Sequence, residues 1–370
     1  MIGRAFWAGL PAIAAGAYYL LALIAALRWP GKGSRIANSL PPLSLLKPMY
    51  GSDPALYGAL RSHALEDYPE FEILFGLSNP HDRAREDIDR LRREFPGLRI
   101  DVMAFPTDAP NPKAFVLSQL ARCARYPLLV INDDDILVRK GYFRSLVAPL
   151  RDPEVGLVTC LYRARADSWP GRVEALGVAT EFSPSVLVAR LLGVVEFALG
   201  ATMAMRAETL DRAGGLEPIA AYLADDYQLG RRVVQAGYRV ELASTIVETS
   251  LGAPSWAEVW RHQLRWSRTI RVSRPWGYYG SLVTQATVWA LIAFAAHQWW
   301  PGIAALSLRV LAGWITGALV LRDREVNRWF WLMPLRDLFG LAVWLGGCFG
   351  SIVYWRGRKL RLAADGRISG

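Results

Sequence analysis

The chain has 370 residues, of which 52% are hydrophobic and only 21% are charged. At roughly 150 residues per domain this length allows about two domains, and the composition excludes an intrinsically disordered chain. Lysine and arginine exceed aspartate and glutamate by 43 to 33, which points to nucleic acid, anionic lipid or a phosphorylated substrate as partner. Fifteen tryptophans favour a lipid surface. Three separated cysteines and four histidines exclude a disulfide framework and a histidine-rich metal site.

An uncharged run near the N-terminus, Phe6–Leu27, is long enough to cross a bilayer, for which about 20 residues suffice. Arg28, Lys32 and Arg35 follow it, so the positive-inside rule places the next stretch in the cytoplasm. A cleaved signal peptide would have a shorter apolar core and an upstream basic flank. We therefore predict a retained transmembrane anchor over residues 1–30.

Further apolar sequence occupies the C-terminal quarter, where we predict membrane helices over residues 281–355. The stretches are Ser281–Trp300, Gly302–Leu321 and Trp329–Trp355. Arg336 and Asp337 interrupt the last one, and because charges inside a membrane are costly we expect them to pair or to lie at the interface. Three full crossings would place the C-terminus outside, whereas the basic tail, residues 356–370, favours the inside. Either the last stretch re-enters the membrane or one of the three lies along its surface.

Residues 41–252 have the alternating pattern of an α/β domain. Short apolar runs predict strands at residues 43–49, 71–78, 98–105, 128–133 and 155–162. Helical periodicity lies between them at residues 54–66, 82–95 and 113–125, with Asp82 as an N-cap. This alternation predicts a mostly parallel sheet with helices on both faces, whose ligands bind beyond the carboxyl ends of the strands. Neither GxGxxG nor GxxxxGK[ST] occurs, so a dinucleotide fingerprint and a P-loop receive no support.

Three adjacent acids, Asp133, Asp134 and Asp135, follow the apolar strand LLVIN. Their mutual repulsion costs stability unless a cation or strong donors offset it. Alternate residues at a strand end point the same way, so Asp133 and Asp135 can share one divalent ion, Mg²⁺ or Mn²⁺. The alternative is an acidic turn that caps the next helix.

A second acidic pair, Asp225 and Asp226, opens a predicted helix in YLADDYQLGRRVVQAGY. One carboxylate can cap that helix, and the other is then available as a general base.

The segment 253–280 combines arginines at helical spacing with four tryptophans, which predicts an interfacial amphipathic helix leading into the membrane. Arg265 could also hold a diphosphate, since a guanidinium fork suits phosphate oxygens. No RNA- or DNA-binding motif accompanies these residues, so nucleic acid is not expected as a partner.

In order along the chain, these motifs resemble the ceramide glucosyltransferase family, glycosyltransferase family 21, whose members have a GT-A fold. The motifs are LLKPMYGSDPALYGAL, NPK, INDDDI, GATMAMRAETLDRAGGL, LADDYQLG and HQLRW. GLVTCLYRARAD and HQLRWSRTIR are also similar to the bacterial branch that glycosylates hopanoids. The resemblance covers nearly the whole chain. It implies a GT-A nucleotide-sugar-binding domain at residues 41–252 and transfer of a hexosyl unit from a UDP-sugar to a lipid hydroxyl, with inversion.

The resemblance also implies roles for individual residues. Asp133 and Asp135 match the aspartates that engage the metal and the diphosphate, and Asp226 matches the base. Arg265 and Trp266 match the end of the (Q/R)xxRW motif, in which His262 stands where Gln or Arg is usual. The first aspartate, on the nucleotide side, corresponds to Asn79 unless Asp82 serves. Lys113 in NPK matches a donor-side position.

Several alternatives stay open. The acceptor is ceramide with UDP-glucose, or a hopanoid with UDP-N-acetylglucosamine. A processive polysaccharide synthase shares the GT-A body and a QxxRW-like motif, but the C-terminal membrane region is short for a translocation pore. An inactive membrane scaffold is favoured only by Asn79. We expect an integral membrane protein, in a bacterial inner membrane, with the catalytic domain facing the cytoplasm.

Overall fold

The computed structural model of the chain describes residues 2–29 and 40–369, and for residues 2–6 it describes the backbone alone. Lys32 and Arg35, predicted as part of the basic flank, lie outside the described residues. The strands are β1 Leu43–Met49, β2 Phe71–Leu77, β3 Arg99–Ala104, β4 Leu128–Ile131, β5 Val155–Arg165, β6 Met203–Arg206, β7 Arg239–Ser250, β8 Ile352–Trp355 and β9 Arg358–Arg361. The helices are α1 Ile2–Leu27, α2 Leu56–Ala64, α3 Ala84–Glu94, α4 Pro112–Cys123, α5 Tyr142–Val147, α6 Trp169–Gly177, α7 Ser183–Leu191, α8 Ala207–Arg212, α9 Asp225–Gln235, α10 Trp256–Ser273, α11 Pro275–Gly280, α12 Ala286–Ala295, α13 Trp299–Trp314, α14 Arg324–Trp329 and α15 Met333–Gly347.

The chain divides into two compact units. The helical unit comprises Met1–Gly31, Arg163–Val194 and Ala253–Asp365, and the sheet unit comprises Lys32–Tyr162, Val195–Gly252 and Gly366–Gly370. Residues 163–194, which we predicted inside the catalytic domain, therefore group with the apolar helices. The end of the predicted basic tail belongs to the sheet unit, where the Ile368 backbone N–H donates to the carbonyl of Ala221.

The main sheet has the strand order β3-β2-β1-β4-β6-β5-β7 within the described residues. β1 pairs in parallel with β2 and β4, and β2 pairs in parallel with β3, whereas β6 runs antiparallel to β4 and β5. The predicted α/β class with a mostly parallel sheet is confirmed, and the ends of the predicted strands shift by at most three residues. Because β1, β2 and β4 are parallel, the segments that follow them emerge at one edge of the sheet.

Both faces of this sheet are buried. Leu45, Phe75 and Val130 belong to one apolar cluster, while their neighbours Leu46 and Leu74 belong to another. Successive side chains of a strand point to opposite faces, so strands covered on both sides are apolar throughout. This explains why β1, β2 and β4 read as continuous apolar runs.

The helical unit contains two helices that are long and apolar enough to cross a membrane, Trp7–Leu27 and Trp299–Val320. The second consists of α13 continued by a π-helical segment, Ile315–Val320. α1 packs against α12 and α13 through small residues, including Ala12, Ala293 and Ala305, all fully buried. Small residues allow such close helix packing in apolar surroundings.

Two predicted apolar stretches differ from the structure. The first contains the α-helix Ala286–Ala295, which is too short to span a bilayer, and its last two residues already begin α13. Interpreting Trp329–Trp355 as one helical stretch is wrong, because α15 ends at Gly347 and β8 then pairs with β9. Arg356 and Gly357 connect these strands with φ angles of +48° and +74°, the left-handed backbone of a tight hairpin turn.

Candidate active site

The acidic triad begins directly beyond the carboxyl end of β4. Asn132, fully buried, holds this strand end because its side-chain amide donates to the carbonyl of Ala201 at 2.6 Å. The Lys47 ammonium of β1 donates to the backbone carbonyl of Asp133 at 2.8 Å. Burial lowers the pKa of Lys47 to about 8, although the three nearby aspartates act in the opposite direction. Sequence reasoning missed Lys47, yet a single lysine within an apolar strand was a visible signal.

Asp133 is paired with a lysine. Lys113 lies in the first turn of α4, and its Nζ is 2.7 Å from Asp133 Oδ1 and 3.0 Å from Asp225 Oδ2. Burial lowers the pKa of Lys113, but Asp133, Asp225 and Asp226 outweigh it and hold that pKa above its ordinary value. The Asn111 side chain accepts from the Ala114 N–H and caps α4, which fixes the start of this helix. Lys113 is thus a buried member of the acidic cluster and no simple surface lysine.

Asp226 opens α9 and is oriented by two backbone donors. Its Oδ2 accepts from the Gly200 N–H at 2.9 Å and its Oδ1 from the Tyr227 N–H at 2.7 Å. Burial and then the Asp225 carboxylate raise the pKa of Asp226 to about 6, while Lys113 acts to lower it. A carboxylate with this pKa is ionised at neutral pH and close to the range in which general bases work well.

Gly200 lies at the centre of this group. A Cβ placed on Gly200 would be 3.2 Å from Asp133 Oδ2, 3.4 Å from Asp226 Oδ2 and 3.6 Å from Lys113 Nζ. The three predicted site residues Lys113, Asp133 and Asp226 therefore converge on one glycine in the sheet unit. A larger residue at this position would crowd the carboxylates, so the glycine keeps the space beside them open.

Asp135 points to a different neighbour. Its carboxylate accepts a hydrogen bond from the hydroxyl of Thr249 at the end of β7. Burial first, and then the charges of Asp134 and Asp133, raise the pKa of Asp135 to about 7. Asp134 accepts from the backbone N–H of Tyr50 at 3.1 Å. Asp133 and Asp135, predicted to share an ion because they alternate along the chain, thus contact different partners in the structure.

A cavity of about 260 Å³ lies beside Asp134 and Asp135. It is lined by Tyr50, Gly51, Ser52, Asp53, Leu56, Asp134, Asp135 and Ser250. No three acidic, histidine or cysteine side chains of the described residues converge closely enough to hold a metal ion by themselves. Mg²⁺ or Mn²⁺ commonly needs only one or two carboxylates when substrate phosphates complete its shell. The crowded acids Asp134 and Asp135 fit such an ion, since a cation would offset their repulsion.

The two candidates for the nucleotide-side residue have different surroundings. Asp82 accepts from the backbone N–H of Gly51 through both oxygens, at 2.9 and 3.0 Å, and also from that of Ala84. The exposed Asn79 makes a local turn by accepting from the His81 N–H. Of the two, only Asp82 contacts the cavity wall, through Gly51. Its bond to the Ala84 N–H lies at the start of α3, but the N-cap of this helix is Arg83 and not Asp82 as predicted.

The remaining predicted residues lie on α10 of the helical unit. Ser255 and Glu258 form a capping box that fixes the start of this helix. His262, Arg265 and Trp266 follow at the spacing that places side chains on one helix face. The rings of His262 and Trp266 lie 4.8 Å apart. These three residues are thus together on one helix, whereas the aspartates belong to the sheet unit.

His262 has a buried acidic partner that sequence reasoning missed. Its Nδ1 is hydrogen-bonded to Oε1 of Glu174 in α6, and the Gln263 amide donates to the same oxygen at 2.8 Å. Glu174 is only 2% exposed. Nothing in its local sequence distinguishes Glu174 from an ordinary surface acid of a helix, so only the packing of α6 against α10 shows the pair.

Arg336 and Asp337 do not pair with each other. Asp337 pairs with Arg309 of α13 at 2.6 Å, and Arg336 lies 3.2 Å from Glu181. Both charges of α15 are thus buried and paired with residues of other segments of the helical unit.

One protein family and several curated relatives match this chain. The profile of Glycosyl transferase family 21 matches residues 6–368. Ceramide glucosyltransferase 3 of Caenorhabditis elegans is 28% identical over 56% of this chain and 46% of its own length. Ceramide glucosyltransferase 1 of the same organism is 29% identical over 56% of this chain and 45% of its own. The chain thus aligns with about half the length of these curated relatives.

A solved structure shares the fold. The mannosyltransferase PcManGT from Pyrobaculum calidifontis, determined in complex with GDP-mannose and Mn²⁺, superposes with a TM-score of 0.58. It is 20% identical, and the match covers 92% of this chain and 97% of that one. This likeness supports the GT-A interpretation of the fold.

Proposed function

This chain belongs to glycosyl transferase family 21, and we propose on that basis that it transfers one hexosyl unit from a UDP-sugar to the hydroxyl of a membrane lipid, with ceramide as acceptor and UDP-glucose as donor. The observation that carries the proposal is the convergence of Lys113, Asp133 and Asp226 around Gly200. This arrangement supplies an oriented carboxylate base, Asp226, close to the Lys113 ammonium, whose positive charge suits a diphosphate.

We assign the proton-accepting role to Asp226. As the acceptor oxygen bonds to the anomeric carbon, the bond from that carbon to the diphosphate breaks and the hydroxyl proton passes to Asp226. Attack from the face opposite the diphosphate inverts the anomeric centre. The two backbone donors orient the carboxylate, and each oxygen keeps a lone pair for the proton. Such a base typically contributes about 10²–10⁴-fold to the rate.

We assign the residues around the cavity to binding the negatively charged diphosphate of the donor. We propose that Asp135, with Asp134 beside it at the same cavity wall, holds Mg²⁺ or Mn²⁺, while Asp133, the other predicted ligand, is ion-paired with Lys113. A divalent ion of this kind, when bound, offsets the charge that develops on the leaving diphosphate. Lys113 keeps one oxygen of Asp133 in place. Asp82, through Gly51, fixes the wall on which we place the nucleotide.

The next residues are those of the HQLRW motif on α10, to which we assign contacts with the substrates. We propose that Arg265 contacts the diphosphate, since its guanidinium suits phosphate oxygens. Trp266 and His262 are proposed to line the same site. Glu174 holds the His262 ring through Nδ1, and we assign the other ring nitrogen, Nε2, to the substrate.

The helices Trp7–Leu27 and Trp299–Val320 support attachment to a membrane. We place the protein in a bacterial inner membrane, with the sheet unit in the cytoplasm. Cys123 is exposed in the sheet unit and Cys160 is buried there. In spheroplasts, a membrane-impermeant maleimide should leave Cys123 unlabelled until the membrane is opened; labelling of intact spheroplasts would reverse the orientation.

A product assay tests the proposed reaction. Purified protein in detergent with Mn²⁺ receives UDP-glucose or UDP-N-acetylglucosamine, each with C18 ceramide or with a hopanoid polyol, and products are identified by mass spectrometry. A single hexose on ceramide supports the proposal. N-acetylhexosamine on the hopanoid would move the protein to that acceptor, and a long polymer would identify a polysaccharide synthase. The Asp226→Asn variant is the control for transfer by this site.

A further inference from the structure

Three helices of the helical unit, α6, α10 and α15, enclose an apolar groove of about 370 Å³. It is lined by Trp169, Val173, Trp256, Leu332, Leu335, Arg336, Leu338 and Phe339. Several of these large apolar side chains are exposed, with Leu335 at 64%. An exposed apolar surface of this kind usually marks a place where something apolar binds. The volume is within the range of pockets for small molecules, about 300–1,000 Å³.

A polar group borders this groove on the same helices. Gln263 is seven residues beyond Trp256 on α10, which places it on the same helix face about 10 Å further along. Its Oε1 accepts from Arg336 Nη2 at 3.3 Å, and its amide donates to Glu174. Gln263 thus joins Arg336, which lines the groove, to the polar His262–Glu174 pair. An occupant that extends from the apolar groove to these polar groups must be amphipathic.

Arg336 carries hydrogen-bonding capacity that the described residues do not use. It is 5% exposed and lines the groove, and its buried Nε has no hydrogen-bond partner among the described residues. A Cβ on Gly177 would lie 2.3 Å from Arg336 Nη2, and one on Gly340 would lie 2.8 Å from its Nη1. Glycine at both positions therefore makes room for the guanidinium. Buried donors are rarely left without a partner, which suggests that a ligand oxygen supplies one.

We infer that this groove binds the acceptor lipid, with a hydrocarbon chain against its apolar wall and an amide or hydroxyl oxygen near Arg336. The inference rests on the proposed function, since it names where the acceptor of that reaction is held. A cavity of this size is too small for a partner helix, whose diameter is about 10–12 Å with side chains, but it suits an alkyl chain. The same unit carries the two bilayer-length helices, so lipid chains are the apolar molecules it meets.

Photolabelling tests binding without requiring turnover. The full chain in detergent is irradiated with a ceramide that carries a diazirine in its acyl chain, and labelled residues are mapped by mass spectrometry. Label should concentrate in residues 169–173 and 332–339, and Leu335→Trp should reduce it severalfold. Leu345→Trp is the matched control, because Leu345 is exposed on the same helix but does not line the groove. Label elsewhere, or equal label in both variants, overturns the inference.

Competition separates an acceptor from a general bilayer lipid. Unlabelled C18 ceramide should remove the label from the groove, whereas the same concentration of phosphatidylglycerol should not. Equal competition by phosphatidylglycerol would make the groove a site for bulk lipid and overturn its assignment to the acceptor.

Kinetics then distinguish failure of this inference from failure of the proposed function. Leu335→Trp should raise KM for C18 ceramide about tenfold and leave KM for UDP-glucose and for C6 ceramide unchanged. Transfer to ceramide with no effect of Leu335→Trp on any KM would show that the groove does not bind the acceptor, while the proposed reaction would stand. If the groove is labelled specifically but the protein glycosylates no ceramide, the groove is still a lipid-binding site and the proposed reaction is wrong.

Discussion

Lys113 Nζ lies 2.7 Å from Asp133 Oδ1, so the buried lysine of α4 is ion-paired with the first acid of the triad. The same ammonium lies 3.0 Å from Asp225. One cation thus links the acids that follow β4 to the acids that open α9. This link joins the two carboxylate motifs into a single site.

Replacing Lys113 with Met should destabilise the sheet unit, because the buried Asp225 would lose its cation, whereas Asp133, 37% exposed, would still be solvated by water. Removing one partner of a buried ion pair costs about 3–5 kcal/mol. The free energy of unfolding, measured by denaturant titration followed by far-UV circular dichroism, should fall by that order. The double variant Lys113→Met/Asp225→Asn should regain part of the loss. A double variant as unstable as the sum of both single variants would contradict this coupling.

Asp226→Asn should remove turnover while UDP binding persists. Asparagine keeps the size of the side chain and one of its two backbone hydrogen bonds but cannot accept the acceptor's proton, so kcat should fall by about 10²–10⁴-fold. UDP binding is measured by isothermal titration in the presence of Mn²⁺. Asp225→Asn, one residue away, is the matched control and should retain more activity. Near-normal turnover in Asp226→Asn would show that another group is the base.

The rate should decline at acid pH as Asp226 takes up a proton. Burial and Asp225 raise the pKa of this group to about 6, and only the ionised form can act as base. At saturating Mn²⁺ and substrates, kcat should therefore be constant above about pH 7 and fall tenfold per unit below about pH 6. The residual activity of Asp226→Asn should lack this decline. A decline of the same shape in that variant would assign it to another residue.

Thr249→Val should weaken metal binding without changing the fold. The hydroxyl of Thr249 holds the Asp135 carboxylate, and loss of such a supporting hydrogen bond usually costs about 10–100-fold in metal affinity. The concentration of Mn²⁺ that gives half-maximal activity should rise by that factor, while Thr249→Ser should resemble the original protein. Chelation of divalent ions should abolish transfer in both. Unchanged Mn²⁺ dependence in Thr249→Val would show that Asp135 does not bind the metal.

The sequence predicted the parts of the fold that depend on local pattern. Strands β1, β2, β4 and β5 were visible as apolar runs because the sheet buries both of their faces, and strand ends located the acids at 133 and 135. Contacts between distant segments were not predictable in the same way. Glu174 is a single acid on an amphipathic helix, and its partner His262 lies 88 residues away. The divergence of Asp133 and Asp135 arises because Lys113 and Thr249 lie on different elements, which alternation along one strand cannot show. The C-terminal hairpin was missed because its apolar strand continues the apolar composition of α15.

Arg309→Met should destabilise the helical unit more than the double variant Arg309→Met/Asp337→Leu. Arg309 is fully buried and contacts Asp337 through Nε and Nη2, and Asp337 also accepts from Thr287. The single change leaves a buried carboxylate without its cation, at a cost of about 3–5 kcal/mol, whereas an apolar pair in the same place is often neutral or stabilising. The thermal midpoint in detergent, measured by intrinsic fluorescence, should therefore fall for Arg309→Met and recover in the double variant. Arg322→Met, a change of the same type at an arginine outside this pair, is the control for loss of an arginine. A double variant that is less stable than Arg309→Met would mean that the pair itself stabilises the packing of α13 against α15.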